Sequence, residues 1–259
     1  MINKADKKLI GSYLRYDDIA IDTVDCIPST NDEMKSRARD GENEIAVLIT
    51  ESQTKGKGTK GRSFFSPDGS GCYMSILLRP LYPAEDCTLL TTIAAVAVAK
   101  AIEKFTINKA QIKWVNDIYI GGKKAAGILT EAALSKNGSV LEYAVVGIGI
   151  NLCQPEKGFP DEIKDIATSI DLAKENKNEF IAEVINVFID YYKNLTDKIY
   201  LREYRERLFF LGETVRITQA DTTYEATAVD IDDMCHLIVE TTDGERKTLF
   251  SGEITVRQV

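Results

Sequence analysis

Apolar and polar residues change their spacing along this chain in a way that divides it into two textures. Residues 45–50 form a short apolar run, as do residues 71–78. Runs of this length, rich in β-branched and bulky side chains, predict buried strands. From residue 86 to about 105 the spacing shifts to three and four, and Leu90, Ile93, Ala94, Ala97, Val98, Ala101 and Ile102 fall on one helical face. Strands follow at 111–114, 118–120, 125–132 and 139–147, separated by glycine-containing turns. A second amphipathic helix over 178–195 turns Phe180, Ile181, Val184, Ile185, Phe188, Tyr191 and Tyr192 inward, and a short charged helix covers 201–208. Ser29-Thr30-Asn31-Asp32-Glu33 opens another helix, ending near Asp40-Gly41. Both Ser29 and Thr30 have an acidic residue three positions on, the capping-box arrangement.

From about Leu211 the texture becomes short alternating strands (214–218, 224–230, 237–241, 247–250, 254–256) joined by turns such as Thr242-Asp243-Gly244. About fifty residues of this kind suit a small β-barrel that closes its own edges. The boundary is expected near residues 208–212, giving a large domain over 1–209 and a small one over 210–259. The first 28 residues are too short for an independent DNA-binding domain.

Composition narrows the function classes. The chain has 259 residues, 44% apolar and 28% charged, an ordinary globular balance. A formal charge of −8 argues against sequence-independent nucleic-acid binding, which rests on phosphate neutralisation. Cys26, Cys72, Cys87, Cys153 and Cys235 are scattered without a Cys-x-x-Cys pair, as expected of reduced thiols in a cytoplasmic protein. No signal peptide or apolar run of membrane-spanning length is present. His236 is the only histidine; a strand or surface role suits it, which argues against Ser-His-Asp chemistry and a His-based zinc site.

Against this acidic background, Gly56-Lys57-Gly58-Thr59-Lys60-Gly61-Arg62 packs three glycines and three cations into seven positions after a strand. Glycine lets backbone N–H groups approach an oxyanion and reaches φ > 0 at low cost. Successive N–H groups form an anion-binding concavity, and the cations suit a polyphosphate or carboxylate. The chain continues Ser63-Phe64-Phe65-Ser66-Pro67, read as strand, turn and loop. A dinucleotide fingerprint would open a helix here, and no Walker A spacing follows. An ordinary solvated basic loop remains an equal reading of this segment alone.

Lys113-Trp114-Val115-Asn116-Asp117 brings a cation, an amide and a carboxylate into one turn. Asp117 suits Mg²⁺, which takes few carboxylates beside waters and phosphates, although Asn-Asp is also common turn chemistry and Trp114 suits a core. Lys124, after Gly121-Gly122-Lys123, sits either at the rim of a cavity or simply at a hairpin edge. Val146-Gly147-Ile148-Gly149-Ile150-Asn151 alternates glycines within a strand, a pattern found where a ligand or another backbone approaches closely.

Taken in order, these motifs resemble those of the biotin protein ligases, from about Pro28 to the tail Ser251-Gly252-Glu253-Ile254-Thr255-Val256-Arg257. The resemblance implies an α+β fold: a mixed sheet with packed helices of the class II aminoacyl-tRNA synthetase/biotin synthetase type, plus an SH3-like barrel. It implies that biotin and ATP form biotinyl-AMP, and that biotin then passes to a lysine of a biotin carboxyl-carrier domain. By the same resemblance Ser29, Thr30, Asn31, Gln53, Gly56, Lys57, Lys124, Gly127 and Gly147 contact biotin. Lys57, Arg62, Phe64, Lys113, Asn116 and Asn151 serve the nucleotide. Lys124, Arg62 and Asp117 serve catalysis, with Asp117 handling Mg²⁺ or the acceptor lysine. Phe64 stands where the family usually has tryptophan, Val115 where it has proline, and Thr59 and Lys57 where it has arginines; lysine keeps the charge of Lys57 but loses the planar fork.

With no N-terminal DNA-binding region expected, the resemblance is to a monofunctional ligase, cytoplasmic, without DNA or membrane partners, and it allows a homodimer. The competing readings are a lipoate or octanoate ligase or transferase of the same fold, and a non-catalytic biotin sensor.

Overall fold

Strands β1 (Ala20–Ile27) and β2 (Ala46–Gln53) pair in parallel, and the crossover that this requires is helix α2 (Thr30–Arg39). Every other pair in the sheet is antiparallel: β2 with β3 (Gly71–Leu78), β3 with β7 (Leu141–Asn151), β7 with β6 (Lys123–Leu134), then β5 (Asp117–Ile120) and β4 (Gln111–Lys113). The result is a mixed seven-stranded sheet. The computed structural model describes residues 3–42, 45–80, 83, 87–135, 140–219, 222–250 and 253–256.

Side chains alternate across a strand, so the sheet has two chemically different faces. On one, Val47, Ile49, Met74, Ile76, Val146, Ile148 and Ile128 join a core with α3 (Cys87–Phe105) and α4 (Lys177–Lys193). On the other, Leu48, Leu77, Tyr143 and Val145 pack against Met34 and Ala38 of α2. Beyond α2 this second face carries Ser75, Gly127, Gly147 and Gly149, in register across β3, β7 and β6. A ten-residue helix spans only about 15 Å. The site forms where α2 stops covering the sheet.

The N-terminal region holds two elements that the sequence pattern does not announce. Helix α1 (Lys7–Tyr13) is capped by Asp6 and buries only Ile10, while β1 is an edge strand that tolerates Asp22 and Asp25. The segment is fastened by polar contacts instead. Glu51 Oε1 accepts from the Ala5 N–H at 2.6 Å, Asn178 Oδ1 from Asp6 N–H at 2.8 Å and Asn186 Oδ1 from Arg15 N–H at 2.9 Å. Glu51 also pairs with Lys177 at 2.6 Å, both almost wholly buried. Breaking a pair of this kind from one side typically costs about 3–5 kcal/mol, because it strands the other charge.

The remaining expectations shift mainly at their ends. Asp86 and Ser139, expected to open a helix and a strand, lie outside the described residues, as do Ser251, Gly252 and Arg257 of the tail. Strand β7 runs on to Asn151 because Gly149 and Asn151 keep their ladder with Tyr73 and Gly71. Residues after Ser63 form no strand; only the isolated bridge between Lys57 and Ser63 appears. Helix α5 (Tyr200–Arg207) leads to β8 (Thr214–Gln219), β9 (Thr222–Ile231), β10 (Leu237–Thr241), β11 (Arg246–Leu249) and β12 (Glu253–Val256). These form a separate antiparallel sheet in the order β11-β10-β9-β8-β12, an open run among the described residues. No helix among the described residues is long and apolar enough to cross a membrane.

Candidate active site

Two clefts meet on the second face of the sheet. The first, about 460 Å³ with its open mouth, is lined by Ser29, Thr30, Asn31, Gln53, Lys57, Thr59, Phe64, Asn116, Lys124, Gly127 and Gly147, among others. The second, about 1070 Å³ on the same measure, is lined by Arg62, Phe64, Lys113, Asp117, Lys124 and Asn151, with Phe65, Tyr119, Phe159, Ile163, Ile166 and Ala167. Phe64 and Lys124 line both. The sequence-derived candidates therefore converge, and they sort into two groups with a shared junction.

In the first cleft the polar groups are tied to one another. Ser29 caps α2, accepting from Asp32 N–H, and Thr30 N–H donates to Gln53 Oε1 at 2.9 Å. Gln53 Nε2 donates to Ser66 Oγ at 3.2 Å. Asn31 Nδ2 donates to Glu131 at 2.8 Å and to the Leu129 carbonyl at 3.2 Å, while its Oδ1 accepts from Ser75 at 2.6 Å. The Ser75 and Thr30 hydroxyls lie 2.7 Å apart. The Thr30 hydroxyl donates to Gln53 Oε1 at 3.2 Å and accepts from Ser75, whose single proton is shared between Thr30 and Asn31 Oδ1. Thr30 keeps one acceptor lone pair to offer a ligand N–H. Ser75 and Glu131 escaped sequence reading, although a lone serine inside the apolar run Gly71–Leu78 was a usable signal.

The strand glycines work by close approach, but a side chain is what approaches. A Cβ on Gly147 would lie 2.2 Å from Asn31 Oδ1, and one on Gly149 would lie 2.7 Å from the Phe64 ring. The space expected for a ligand at Gly147 is thus filled by Asn31. Gly56 lines neither cleft; its missing Cβ makes room for the Phe64 carbonyl and Ser66 Oγ, at 2.4 and 2.6 Å.

The basic loop spends two of its amides on its own fold. Gly58 N–H donates to the Arg62 carbonyl at 2.7 Å, Arg62 N–H to Thr59 at 3.2 Å and Phe64 N–H to Gly56 at 2.9 Å. These bonds use the Gly58 and Arg62 amides inside the loop and set Lys57, Lys60 and Arg62 around the left-handed turn. Lys60 and Gly61 take the left-handed turn, at φ 56° and 74°. Lys57 reaches back to Asp32 at 2.5 Å, and Lys35 pairs with both Asp32 and Glu131. Burial pushes the Asp32 carboxyl up, but its bonds from Lys57 and Lys35 outweigh burial and hold it below the usual carboxylate value.

At the junction, Lys124 Nζ donates to Asp117 at 2.6 Å, and both side chains are largely shielded. Lys124 is thereby a fixed cation between the clefts. Asn116 lines the first cleft, not the second, and is clamped to β6: its carbonyl accepts from Ile128 N–H at 2.9 Å and its Nδ2 donates to the Ile128 carbonyl at 2.8 Å. Asn151 Nδ2 donates to the Thr168 carbonyl at 2.9 Å. The apolar wall of the second cleft was missed. Phe159, Ile163 and Ile166 recur at intervals of four and three in an otherwise acidic connection, a signal too short to separate from a loop.

No group of three or more His, Cys, Asp or Glu side chains able to hold a metal occurs among the described residues. Among the described residues, Asp117 is the only carboxylate lining the second cleft, beside Arg62, Lys113 and Lys124.

Comparison with known proteins agrees with this geometry. The biotin/lipoate A/B protein ligase family matches residues 23–151, and the biotin protein ligase C terminal domain matches residues 210–257. The bifunctional ligase/repressor BirA of Bacillus subtilis (strain 168) is 32% identical over 256 residues, covering 95% of this chain and 75% of that protein. The biotin–[acetyl-CoA-carboxylase] ligase of Mycobacterium tuberculosis is 27% identical over 246 residues, 90% of this chain and 88% of that one. The biotin protein ligase of Aquifex aeolicus, solved in complex with biotin and ATP, superposes with a TM-score of 0.74 at 28% identity, over 93% of this chain and 99% of that chain. The chain belongs to the biotin protein ligases, within the biotin/lipoate A/B protein ligase family.

Proposed function

We propose that the protein is an ATP-dependent biotin protein ligase, with a ligase domain over residues 1–209 and a small C-terminal domain over 210–259. The observation that carries this reading is Lys124, held by Asp117 where the two clefts meet. The first cleft takes biotin, with the ureido ring at Ser29, Thr30 and Gln53 and the carboxylate toward Lys57 and Lys124. The second takes ATP, with adenine against Phe64 and the wall formed by Phe159, Ile163 and Ala167, near Asn151, and the phosphates among Arg62, Lys113 and Lys124. A biotin carboxylate oxygen attacks the α-phosphorus as the bond to pyrophosphate breaks. Charge that builds on the α-phosphoryl oxygens meets cations already in place, and such preorganised charge is usually the largest catalytic contribution. An acceptor lysine of a biotin carboxyl-carrier domain then attacks the acyl carbonyl, and AMP leaves.

The residues fit Mg²⁺ arriving with the nucleotide, since one carboxylate among cations suits an ion held mainly by phosphates. Asp117 would hold it, and the ion would neutralise phosphate charge. Scattered free cysteines fit a cytoplasmic location. The test is pyrophosphate release from the protein with Mg-ATP and biotin, with lipoate and octanoate as competitors. Biotin-dependent release with formation of biotinyl-AMP is expected; release supported equally by lipoate or octanoate would favour the sister activity.

A further inference from the structure

The turn of residues 113–117, which carries Asp117, is held from behind by groups that line neither cleft. Trp114, 5% exposed, donates its indole Nε1–H to the Cys235 carbonyl at 2.8 Å. Cys235 belongs to the hairpin between β9 and β10 of the C-terminal sheet, so one hydrogen bond joins that sheet to the Asp117 turn. The hairpin tip is built to present this carbonyl. Asp232 Oδ1 accepts from Met234 N–H and His236 N–H, both at 2.9 Å, and Asp232 Oδ2 lies 2.9 Å from His236 Nδ1. Cys235 N–H returns to the Asp232 carbonyl at 3.0 Å, which leaves Cys235 fully buried in the left-handed region at φ 61°. Beside it, the fully buried Tyr204 of α5 donates its hydroxyl to the Val115 carbonyl at 3.0 Å. Consecutive residues of the turn are thus pinned from the side opposite the reaction, and the next two, Asn116 and Asp117, are pinned on the reactive side by Ile128 and Lys124.

Resting on the ligase reading above, we infer that Tyr204 and the Asp232-ordered hairpin tip are positioning residues for adenylation, acting through the Trp114–Asp117 turn to hold the Asp117–Lys124 pair. Lys124 serves the reaction only if its ammonium stands at the junction of the clefts. A misplacement of about 1 Å, caused by a change far from the chemistry, can cost about a hundredfold in rate. Thr30, Gln53 and Ser75, which shape the first cleft, make no hydrogen bond to this turn. Asn116 and Lys124 also border the first cleft, so loosening the turn should slow the chemical step far more than it weakens biotin binding. That separation distinguishes positioning from simple adhesion between the two sheets.

A control lies on the same seam. Arg205 bridges α5 to the end of β9 through Asp230 at 2.7 Å and the Ile231 carbonyl at 3.2 Å, without a bond to Asp232, Cys235 or the 113–117 turn. Tyr204→Phe, Asp232→Ala and Arg205→Met are made in the full chain. Single-turnover biotinyl-AMP formation, biotin Kd and thermal midpoint are measured for each. Trp114 is the only tryptophan, so its indole N–H resonance reports the Cys235 bond directly. Tyr204→Phe and Asp232→Ala are expected to slow adenylation about tenfold with biotin Kd moved far less, and Asp232→Ala to shift the indole resonance. Arg205→Met is expected to lower the thermal midpoint while leaving the rate at the wild-type value. Wild-type rates in both test variants would overturn the inference. So would an equal loss in Arg205→Met, or a biotin Kd weakened as much as the rate. If Asp232→Ala fails to fold, Tyr204→Phe, which removes one oxygen, decides alone. A wild-type protein without biotin-dependent pyrophosphate release would count against the ligase reading instead.

Discussion

The two clefts share a wall and solve opposite problems. In the first, polar side chains are bonded to each other before any ligand arrives: Thr30 to Gln53, Asn31 to Ser75 and Glu131, Gln53 to Ser66. In the second, the polar lining is largely cationic, the rest is aromatic and aliphatic, and Ile166 is 62% exposed on its rim. A small neutral ring is recognised by donors and acceptors at fixed positions, and a buried polar group left unpaired costs about 1–3 kcal/mol. A polyphosphate is recognised by charge, which tolerates looser geometry. The first cleft is therefore rigid by hydrogen bonding, the second adaptable by electrostatics.

Lys124 belongs to both regimes, and losing it should have the largest effect. Lys124→Ala removes the fixed cation at the junction, and adenylation is expected to fall well beyond tenfold, by about 1.4 kcal/mol or more. Pyrophosphate release at saturating ligands measures this, and wild-type rates would reduce Lys124 to a hairpin residue.

Gly147 and Gly149, two positions apart on β7, both line the first cleft but make room for different side chains. In Gly147→Ala the new methyl meets Asn31, which cannot withdraw without breaking its bonds to Ser75 and Glu131. Overpacking of this kind costs about 1–3 kcal/mol, and biotin affinity should fall with it. In Gly149→Ala the methyl meets the Phe64 ring, which lines both clefts, so the KM for ATP should rise together with biotin Kd, whereas Gly147→Ala should weaken biotin alone. Titration calorimetry of both variants checks the pair, and matching ligand profiles would dissolve the contrast.

Salt gives a smaller effect. Screening falls on exposed charge, so raising ionic strength from about 0.05 to 0.5 M should weaken ATP binding, with its several phosphate charges, more steeply than biotin binding, with its single carboxylate. Parallel salt dependences would show that the first cleft also works by net charge.

The smallest effect concerns the clamp between the basic loop and α2. Asp32 has a folded pKa below its unfolded value, so it contributes stability above the ordinary carboxylate range. That contribution is lost as pH falls through the lowered folded value. Asp32 and Lys57 are both partly exposed, so the contribution is modest. The urea midpoint of Asp32→Asn should therefore depend less steeply on pH below about 4 than that of the wild type. Identical slopes would release the loop from this role.

How much of this was legible in sequence depended on what carries each element. Strands β2 and β3 and helices α3 and α4 are built on apolar periodicity and were readable to within a few residues. Helix α1 is fastened at its flanks by Glu51, Asn178 and Asn186, partners more than 40 residues away, and strand β1 by its parallel pairing with β2; no local pattern encodes such contacts. The site motifs were visible because cations, glycines and amides are rare inside apolar runs. Their supports were not. The Gly147–Asn31 approach, the Asp117–Lys124 pair and the Trp114–Cys235 bond all depend on strand register. The basic loop drew attention by its composition, while the use of its Gly58 and Arg62 amides within the loop depends on a turn geometry that composition does not encode.

The fastening of residues 5–15 also has a bearing on how the chain is made. Asp6 bonds to Asn178, a separation of 172 residues. At synthesis rates of about 5–20 residues per second, the early segment waits roughly 9–34 s before that partner exists. During that interval Ile10 has no α4 to bury against and Glu51 no Lys177 to neutralise it. A strap dominated by polar contacts, with a single deeply buried apolar anchor, exposes little sticky surface while it waits. Among the described elements of the large sheet domain, one made first on the ribosome is thus among the last to close.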